Sequence, residues 1–177
     1  KLEEGIQKLE HVSRQIRDNF EQNDVKLREL AQGTKGESNF FYIARGLNLA
    51  IAAEGALKLK EISYVHAECM PAGELKHGTL ALIEEGTPVV AICPRDDTFY
   101  ETVSNVMEIK ARGGFVIGVS DENNEIYDLW IEIPRVDATC YPLVAIMPLH
   151  LLAYHVAVAR GKDPDRPRHL AKSVTVK

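Results

Sequence analysis

Four short runs of nearly continuous apolar residues constrain the fold of this chain more than any other feature. They lie at residues 40–44, 88–93, 115–119 and 129–133. Strands with one face in water alternate apolar and polar residues, whereas strands buried on both faces of a sheet are apolar throughout. The runs therefore predict the strands of a sheet that is covered on both sides.

Helical stretches separate these runs, at about residues 48–62, 98–112 and 142–160. Alternation of strands with helices favours a parallel sheet with helices on both faces. A short fifth strand is expected at Tyr64–Cys69. We therefore predict an α/β fold, a doubly wound three-layer αβα sandwich around a parallel sheet.

Residues 2–32 are predicted to form helix, because apolar residues recur at steps of three and four along one stripe. The pair Asn23 and Asp24 interrupts this stripe, and Leu27 and Leu30 resume it. The polar remainder of the segment indicates a packing role without chemistry.

The longest apolar run, Tyr141–Ala159, contains Pro142, Pro148, His150 and His155. A membrane-spanning helix needs about 20 residues with few polar interruptions. Two histidines inside the run favour a helix buried in a protein core instead.

Charge balance and cysteine content exclude several classes of function. Lys and Arg number 21 against 26 Asp and Glu, a net charge of −5, which gives no electrostatic basis for binding nucleic acid. The three cysteines are widely spaced and odd in number, so neither a disulfide framework nor a zinc site is expected. Reduced thiols are typical of a cytoplasmic protein. A length of 177 residues suits one domain with an appendage.

Ligands of open α/β sheets bind beyond the carboxyl ends of the strands. This rule predicts a site in the loops that follow Ala44, Cys69, Cys93 and Val119. The loop at residues 94–98 contains two aspartates, which would repel a phosphate dianion. No phosphate cradle is therefore expected in that loop.

Glu54, Lys58 and Glu61 are spaced to lie on one face of the helix predicted at 48–62. Such a row of charges is often exposed and without chemistry. The surrounding Ala and Leu residues indicate a helix buried on much of its circumference. Because burying a charged side chain costs free energy, charges on such a helix favour a functional role. The hypothesis is a lysine and a carboxylate in a cleft, with the carboxylate moving a proton.

Two further residues are candidates for chemistry. His77 lies in a polar loop between Gly73 and Gly78 and could act as a general acid or base. Lys172 lies in an apolar stretch near the end of the chain. A lysine in apolar surroundings has a lowered pKa and can attack a carbonyl, although most single lysines are surface residues.

Four segments resemble one family: the residues at 54–63, 66–68, 72–78 and 170–176, which read EGALKLKEIS, HAE, AGELKHG and LAKSVTV. They are similar to the isomerase region of the glucosamine-6-phosphate synthases, the glutamine–fructose-6-phosphate aminotransferases (isomerizing). The resemblance covers essentially the whole chain as the second of two sugar isomerase (SIS) halves. One departure is Lys177, since the family usually ends in Glu.

The resemblance implies the fold and the division of the chain. The expected fold is a flavodoxin-like sandwich with a five-stranded parallel sheet. Residues 1–35 would form helices packed on the domain, residues 36–160 the SIS domain, and residues 161–177 a catalytic tail. The first SIS half and a glutaminase domain would belong to the same longer chain, and two copies would form a homodimer.

The resemblance also implies a role for each candidate residue. Lys172 would form a Schiff base with the C2 carbonyl of fructose 6-phosphate, and Glu61 would move a proton between C1 and C2. His77 would assist ring opening in the active site of the neighbouring subunit. Lys58 would lie beside the sugar, and the backbone of Ala171 would contact it. No metal and no organic cofactor is required.

Two other interpretations remain open at this point. One is a related SIS enzyme on sugar phosphates, such as a fructosamine-6-phosphate deglycase or an isomerase. The other is a module that binds sugar phosphates without catalysis. The tail at residues 172–176 favours the synthase, and the coexistence of four candidate catalytic residues argues against a mere binding module.

Overall fold

The computed structural model describes residues 2–169 and shows one five-stranded sheet in which all neighbouring strands are parallel. The strand order is β2-β1-β3-β4-β5, with the crossover characteristic of doubly wound sheets. The strands are β1 (Asn39–Ala44), β2 (His66–Pro71), β3 (Pro88–Ile92), β4 (Phe115–Ser120) and β5 (Leu129–Glu132). The predicted α/β fold with a five-stranded parallel sheet is confirmed.

Both faces of the sheet are buried, because alternate residues of each central strand enter two separate cores. In β1, Phe40 and Tyr42 enter one core, whereas Phe41 and Ile43 enter the other. The first core is covered by three helices and the second by α3 and two short 3₁₀ turns. The helices are α1 (Leu2–Gly33), α2 (Asn48–Ser63), α3 (Phe99–Lys110) and α4 (Tyr141–Ala159), and the turns are Ala72–His77 and Thr79–Leu82.

The apolar run at Tyr141–Ala159 forms α4, which packs against α1, α2 and the sheet. Its length and composition alone would allow it to cross a membrane, but half of its most apolar 18-residue stretch is buried inside the fold. His155 is 7% exposed and faces α1, where it meets Asp24. The interpretation of this run as a core helix is therefore the one that the packing supports.

The helix predicted at residues 2–32 is confirmed as α1, which continues through Asn23 and Asp24, where the apolar stripe is interrupted. Tertiary partners satisfy the two side chains. Asn23 donates a hydrogen bond from Nδ2 to the carbonyl oxygen of Glu132 at 2.9 Å, and Asp24 accepts one from His155 at 2.7 Å. These two hydrogen bonds thus connect α1 to β5 and α4.

The fifth strand lies two residues later than predicted. Tyr64 ends α2 in the left-handed conformation, with φ 62°, and its backbone N–H donates to the carbonyl oxygen of Lys60. The chain therefore turns at Tyr64 and pairs with β1 only from His66 onward.

Candidate active site

Lys58 is the centre of a cluster of charges on α2. Its Nζ lies 2.7 Å from Glu61 Oε2 and 3.5 Å from Glu54 Oε1. The hydrogen bond to Glu61 raises the pKa of Lys58 above its ordinary value, so the amine is an ammonium ion at neutral pH. The spacing of these three residues correctly predicted a common face, and the structure brings them together as a carboxylate–ammonium–carboxylate row.

The row is partly exposed, with side-chain exposures of 39% for Glu54, 35% for Lys58 and 26% for Glu61. The opposite face of α2 is buried through Ala52, Ala56 and Leu59 among others. Burial on much of the circumference was therefore only half right. The row is therefore accessible from the surface of the domain.

This row lies away from the carboxyl ends of the strands, where the sequence predicted a ligand site. Since α2 follows the carboxyl end of β1 and leads back to the first residue of β2, it runs antiparallel to the strands. Lys58 and Glu61 stand in its last two turns and so lie toward the amino-terminal edge of the sheet. The rule concerns ligands bound by the loops that follow the strands, and the charged row lies outside those loops.

At the carboxyl ends of the strands, the side chains of Asp96 and Asp121 accept hydrogen bonds from the neighbouring loops. Asp96 Oδ1 accepts hydrogen bonds from the backbone N–H and the hydroxyl of Thr98, at 2.8 and 2.7 Å, and Asp96 Oδ2 accepts one from Asn48 at 2.8 Å. Asp121, 1% exposed, accepts from the Arg95 backbone and from the Tyr141 hydroxyl. The Asn48 side chain and the Thr98 amide and hydroxyl, which are donors near the starts of α2 and α3, are thus already used by Asp96.

His77 lies in another part of the molecule. It ends the 3₁₀ turn that follows β2, and its side chain is 74% exposed, with Nε2 4.0 Å from Glu74 Oε2. That turn packs into the core on the α3 side of the sheet, whereas α2 packs into the core on the opposite side. The structure therefore does not bring His77 together with Lys58 and Glu61 within one copy of the chain.

Arg45 supports the segment that carries His77, a role that sequence reasoning missed. Its guanidinium donates to Asn105 Oδ1 at 3.0 Å, and the backbone of Gly73 packs so closely on it that a Cβ there would lie 2.8 Å from Arg45 Nη2. Lys76 adds an ion pair to Glu108 at 3.2 Å. The sequence feature that could have indicated this contact is Gly73, which lies near the start of the turn, four residues before His77.

Two predicted site residues, Ala171 and Lys172, lie outside the described residues. The preceding chain is placed as far as His169. Arg168 contacts Tyr64, the residue that ends α2 one helical turn beyond Glu61. Sequence reasoning assigned no role to Tyr64, because its contact partner is 104 residues away.

Two of the three cysteines are poor nucleophiles in this fold. All three cysteines are free thiols, and burial raises the pKa of Cys69 to about 11 and that of Cys93 to about 12. Both are therefore uncharged and poorly nucleophilic at neutral pH. Within residues 2–169, no three His, Cys, Asp or Glu side chains are grouped so that they could hold a metal ion.

Comparison with known proteins identifies the family. Residues 35–160 match the SIS domain family, and the chain belongs to it. The glutamine–fructose-6-phosphate aminotransferase (isomerizing) of Thermococcus kodakarensis is 52% identical over 179 residues, which cover 98% of this chain and 30% of that protein. The chain thus spans about 30% of the length of this curated relative. The resemblance that the four motifs predicted is confirmed.

Solved structures agree with the fold. The C-terminal domain of glucosamine-fructose-6-phosphate aminotransferase from Francisella tularensis superposes with a TM-score of 0.83 at 36% identity, over 90% of this chain and 46% of that one. The tagatose-6-phosphate ketose/aldose isomerase of Escherichia coli gives 0.71 at 20% identity, over 92% and 48%. The second likeness concerns the fold alone.

Proposed function

We propose that this chain is the second SIS half of an enzyme that makes glucosamine 6-phosphate from fructose 6-phosphate and glutamine-derived ammonia. The observation that carries the proposal is the 2.7 Å pair of Lys58 and Glu61 on a partly open helix face. The similarity to half of a glucosamine-fructose-6-phosphate aminotransferase domain supports the substrate. The first SIS half would close over the row and supply the phosphate site.

The chemistry begins at Lys172 of the catalytic tail, residues 161–177. Its amine adds to the C2 carbonyl of open-chain fructose 6-phosphate, and water leaves to give a protonated Schiff base. Ammonia then displaces the lysine, which leaves an imine nitrogen on C2. The positive nitrogen acidifies the hydrogens on C1, and the backbone of Ala171 contacts the sugar.

Glu61 then moves one proton. Its carboxylate removes a proton from C1, so that the electron pair forms a C1–C2 double bond and C2 carries an amine. Return of the proton to C2, with loss of the hydroxyl proton from O1, gives the aldehyde of glucosamine 6-phosphate. Lys58, held as an ammonium by Glu61, stabilises negative charge on the sugar oxygen during the transfer.

We also propose that the protein acts in the cytoplasm as a homodimer. The free state of the three cysteines suits a reducing compartment. The position of His77, on the opposite side of the sheet from Lys58 and Glu61, suits a residue that serves the site of a second subunit in ring opening.

The proposal is tested with Glu61→Gln in the full-length enzyme, with Glu54→Gln as the matched control. Both carboxylates flank Lys58, but only Glu61 is assigned the proton transfer. We expect Glu61→Gln to lower kcat for glucosamine 6-phosphate formation by about 10²- to 10⁴-fold, with Glu54→Gln within a few-fold of wild type. The Schiff base at Lys172, reduced with cyanoborohydride and located by mass spectrometry, should still form in both variants.

Three results would contradict the proposal. Equal loss of activity in the two variants would mean that the row acts only through its charge. Absence of a fructose 6-phosphate adduct on Lys172 in the wild-type enzyme would remove the Schiff base. Release of ammonia from an amino sugar, without its incorporation into fructose 6-phosphate, would indicate a deglycase.

A further inference from the structure

Asn105 is a buried polar residue of α3 to which the proposed chemistry gives no role. It is 6% exposed, and both ends of its side-chain amide make hydrogen bonds. Its Oδ1 accepts from Nη2 and Nε of Arg45 at 3.0 and 3.3 Å, and its Nδ2 donates to Glu108 Oε1 at 3.5 Å. A buried amide is unfavourable unless its hydrogen bonds are made. Asn105 therefore belongs to a connected group of side chains, with Arg45 on one side and Glu108 on the other.

Arg45 extends this group to the start of the 3₁₀ turn Ala72–His77. It directly follows β1, at the edge of the sheet where the loops of open α/β sheets bind ligands. Its guanidinium is instead turned to Asn105 and to the turn, where a Cβ at Gly73 would lie 2.8 Å from Nη2 and 3.3 Å from Cζ. Because such a separation leaves no room for a side chain, the guanidinium lies directly against the backbone of Gly73.

Glu108 extends the group to the end of the same turn. Its Oε1 lies 3.2 Å from Nζ of Lys76, the residue before His77. The side chain of Lys76 is 62% exposed, and ion pairs of exposed lysines contribute little on their own. The hydrogen bonds between Arg45 and buried Asn105 are charge-assisted and therefore stronger. The turn is thus held against α3 near both of its ends, mainly through Asn105.

His77 depends on this support because its own side chain has little contact with the fold. The side chain is 74% exposed, and its Nε2 lies 4.0 Å from Glu74 Oε2, which is too far for a hydrogen bond. The place of the imidazole is therefore set by the backbone of the turn rather than by contacts of the ring.

We propose that Asn105 is a positioning residue that holds the turn Ala72–His77 in the place from which His77 reaches the sugar. The inference rests on the proposed function through the role of His77 in ring opening. In that step the bond between C2 and O5 breaks, and its electron pair goes to O5, which takes a proton from the imidazolium. The hydroxyl on C2 loses its proton to water as the carbonyl forms. Asn105 contacts Arg45 and Glu108 rather than His77, so it acts through the turn.

The expected effect follows from the accuracy that proton transfer requires. A positioned acid or base contributes about 10²- to 10⁴-fold to a rate, and a displacement of about 1 Å can cost about 10²-fold. Asn105→Ala leaves the Arg45 guanidinium without its acceptor, so the support at Gly73 is lost and the turn can move. We therefore expect ring opening to slow about 10- to 10²-fold.

The test compares two substrates in the full-length enzyme. Fructose 6-phosphate must open its ring, whereas 5-deoxyfructose 6-phosphate has no hydroxyl on C5 and is open-chain throughout. The variants are Asn105→Ala, Asn105→Asp, His77→Ala and the double variant of Asn105→Ala with His77→Ala. Thr102→Val is the matched control, since Thr102 is a residue of the same helix, 1% exposed, whose hydroxyl donates to the carbonyl oxygen of Thr98. The readout is kcat/KM for formation of the amino sugar phosphate from each substrate.

We expect Asn105→Ala to lower kcat/KM for fructose 6-phosphate about 10- to 10²-fold and to leave kcat/KM for 5-deoxyfructose 6-phosphate within a few-fold of wild type. Asn105→Asp keeps the acceptor for Arg45 and should lose less. The double variant should be no slower than His77→Ala, because the effects of residues that act as a unit are not additive. Thr102→Val should not distinguish the two substrates.

Equal losses on both substrates in Asn105→Ala would overturn the inference, because the residue would then act only on the stability of the fold. An additive loss in the double variant would also overturn it, because Asn105 would then act elsewhere than through His77. If His77→Ala itself lowers kcat/KM equally for both substrates, the role of His77 in ring opening fails, and the inference fails with it. A selective loss in His77→Ala but not in Asn105→Ala leaves the proposed function standing and removes the inference alone.

Discussion

Gly55 allows α2 and α4 to approach each other closely. A Cβ at this position would lie 2.7 Å from Leu149 Cδ1 and 3.0 Å from Cε1 of Tyr42, closer than packed atoms tolerate. Glycine inside a helix is otherwise unfavourable relative to alanine by about 1 kcal/mol. The absence of a side chain at Gly55 therefore allows close packing of α2 against α4 and β1. Glu54 and Lys58 lie on the same helix, where their side chains are partly exposed.

Gly55→Ala should destabilise the chain, because an overpacked core costs about 1–3 kcal/mol and the gain in helix propensity offsets only about 1 kcal/mol. We expect a net loss of up to about 2 kcal/mol in the free energy of unfolding, measured by urea denaturation followed by circular dichroism. Gly5→Ala in α1 is the matched control, since nothing lies within 4 Å of a Cβ there. It should raise the free energy of unfolding by about 0.5–1 kcal/mol, and the same sign for both variants would refute the packing argument.

At the scale of the elements, α1 contacts α4 through the carboxylate of Asp24. His155 of α4, 7% exposed, donates to Asp24 at 2.7 Å, and Arg28 adds a second contact to the same carboxylate at 2.6 Å. The hydrogen bond from His155 holds the pKa of Asp24 below its ordinary value of 3.8. The ionised carboxylate thus favours the folded state, and its contribution is present above pH 3.8 and lost as the pH falls through the lower pKa of the folded state.

Asp24→Asn should therefore lower the free energy of unfolding at pH 6, with a difference from wild type that shrinks as the pH falls below about 4. Urea denaturation of both proteins at pH 6 and pH 3 measures this difference. Asp18→Asn, on the exposed side of the same helix, is the control and should show no comparable change. A difference for Asp24→Asn that stays constant down to pH 3 would mean that the ionised carboxylate is not the stabilising form.

Local sequence patterns predicted the helices and strands well where burial alone determines the residue types. They did not predict contacts between residues that lie far apart in the sequence. The continuous apolar runs predicted the strands, because residues buried on both faces must be apolar whatever their partners. The contacts of Asn23 and Asp24 could not be predicted, because nothing nearby in the sequence indicates Glu132 or His155 as their partners. Likewise, no periodicity of the sequence connects Tyr64, which ends α2, with its contact partner Arg168.

At the scale of the whole molecule, the candidate site is divided between the two sides of the sheet. The spacing of Glu54, Lys58 and Glu61 predicted their meeting, since a helix has one fixed period. The separation of His77 from this row depends on which core each segment enters, and that is set by the sheet topology rather than by any motif. Under the proposed function, His77 therefore serves the site of a second copy of the chain.

The requirement for a second copy predicts complementation between two inactive full-length variants, His77→Ala and Glu61→Gln. If each site takes Glu61 from one subunit and His77 from the other, a mixed dimer of the two variants has one intact site and one site with both changes. Random reassembly makes half of the dimers mixed, so about a quarter of wild-type activity should return. Mixtures should remain inactive if both residues serve the site of their own subunit, because every site then contains one change. Measuring glucosamine 6-phosphate formation after dissociation and reassembly, with each variant reassembled alone as the control, distinguishes the two arrangements.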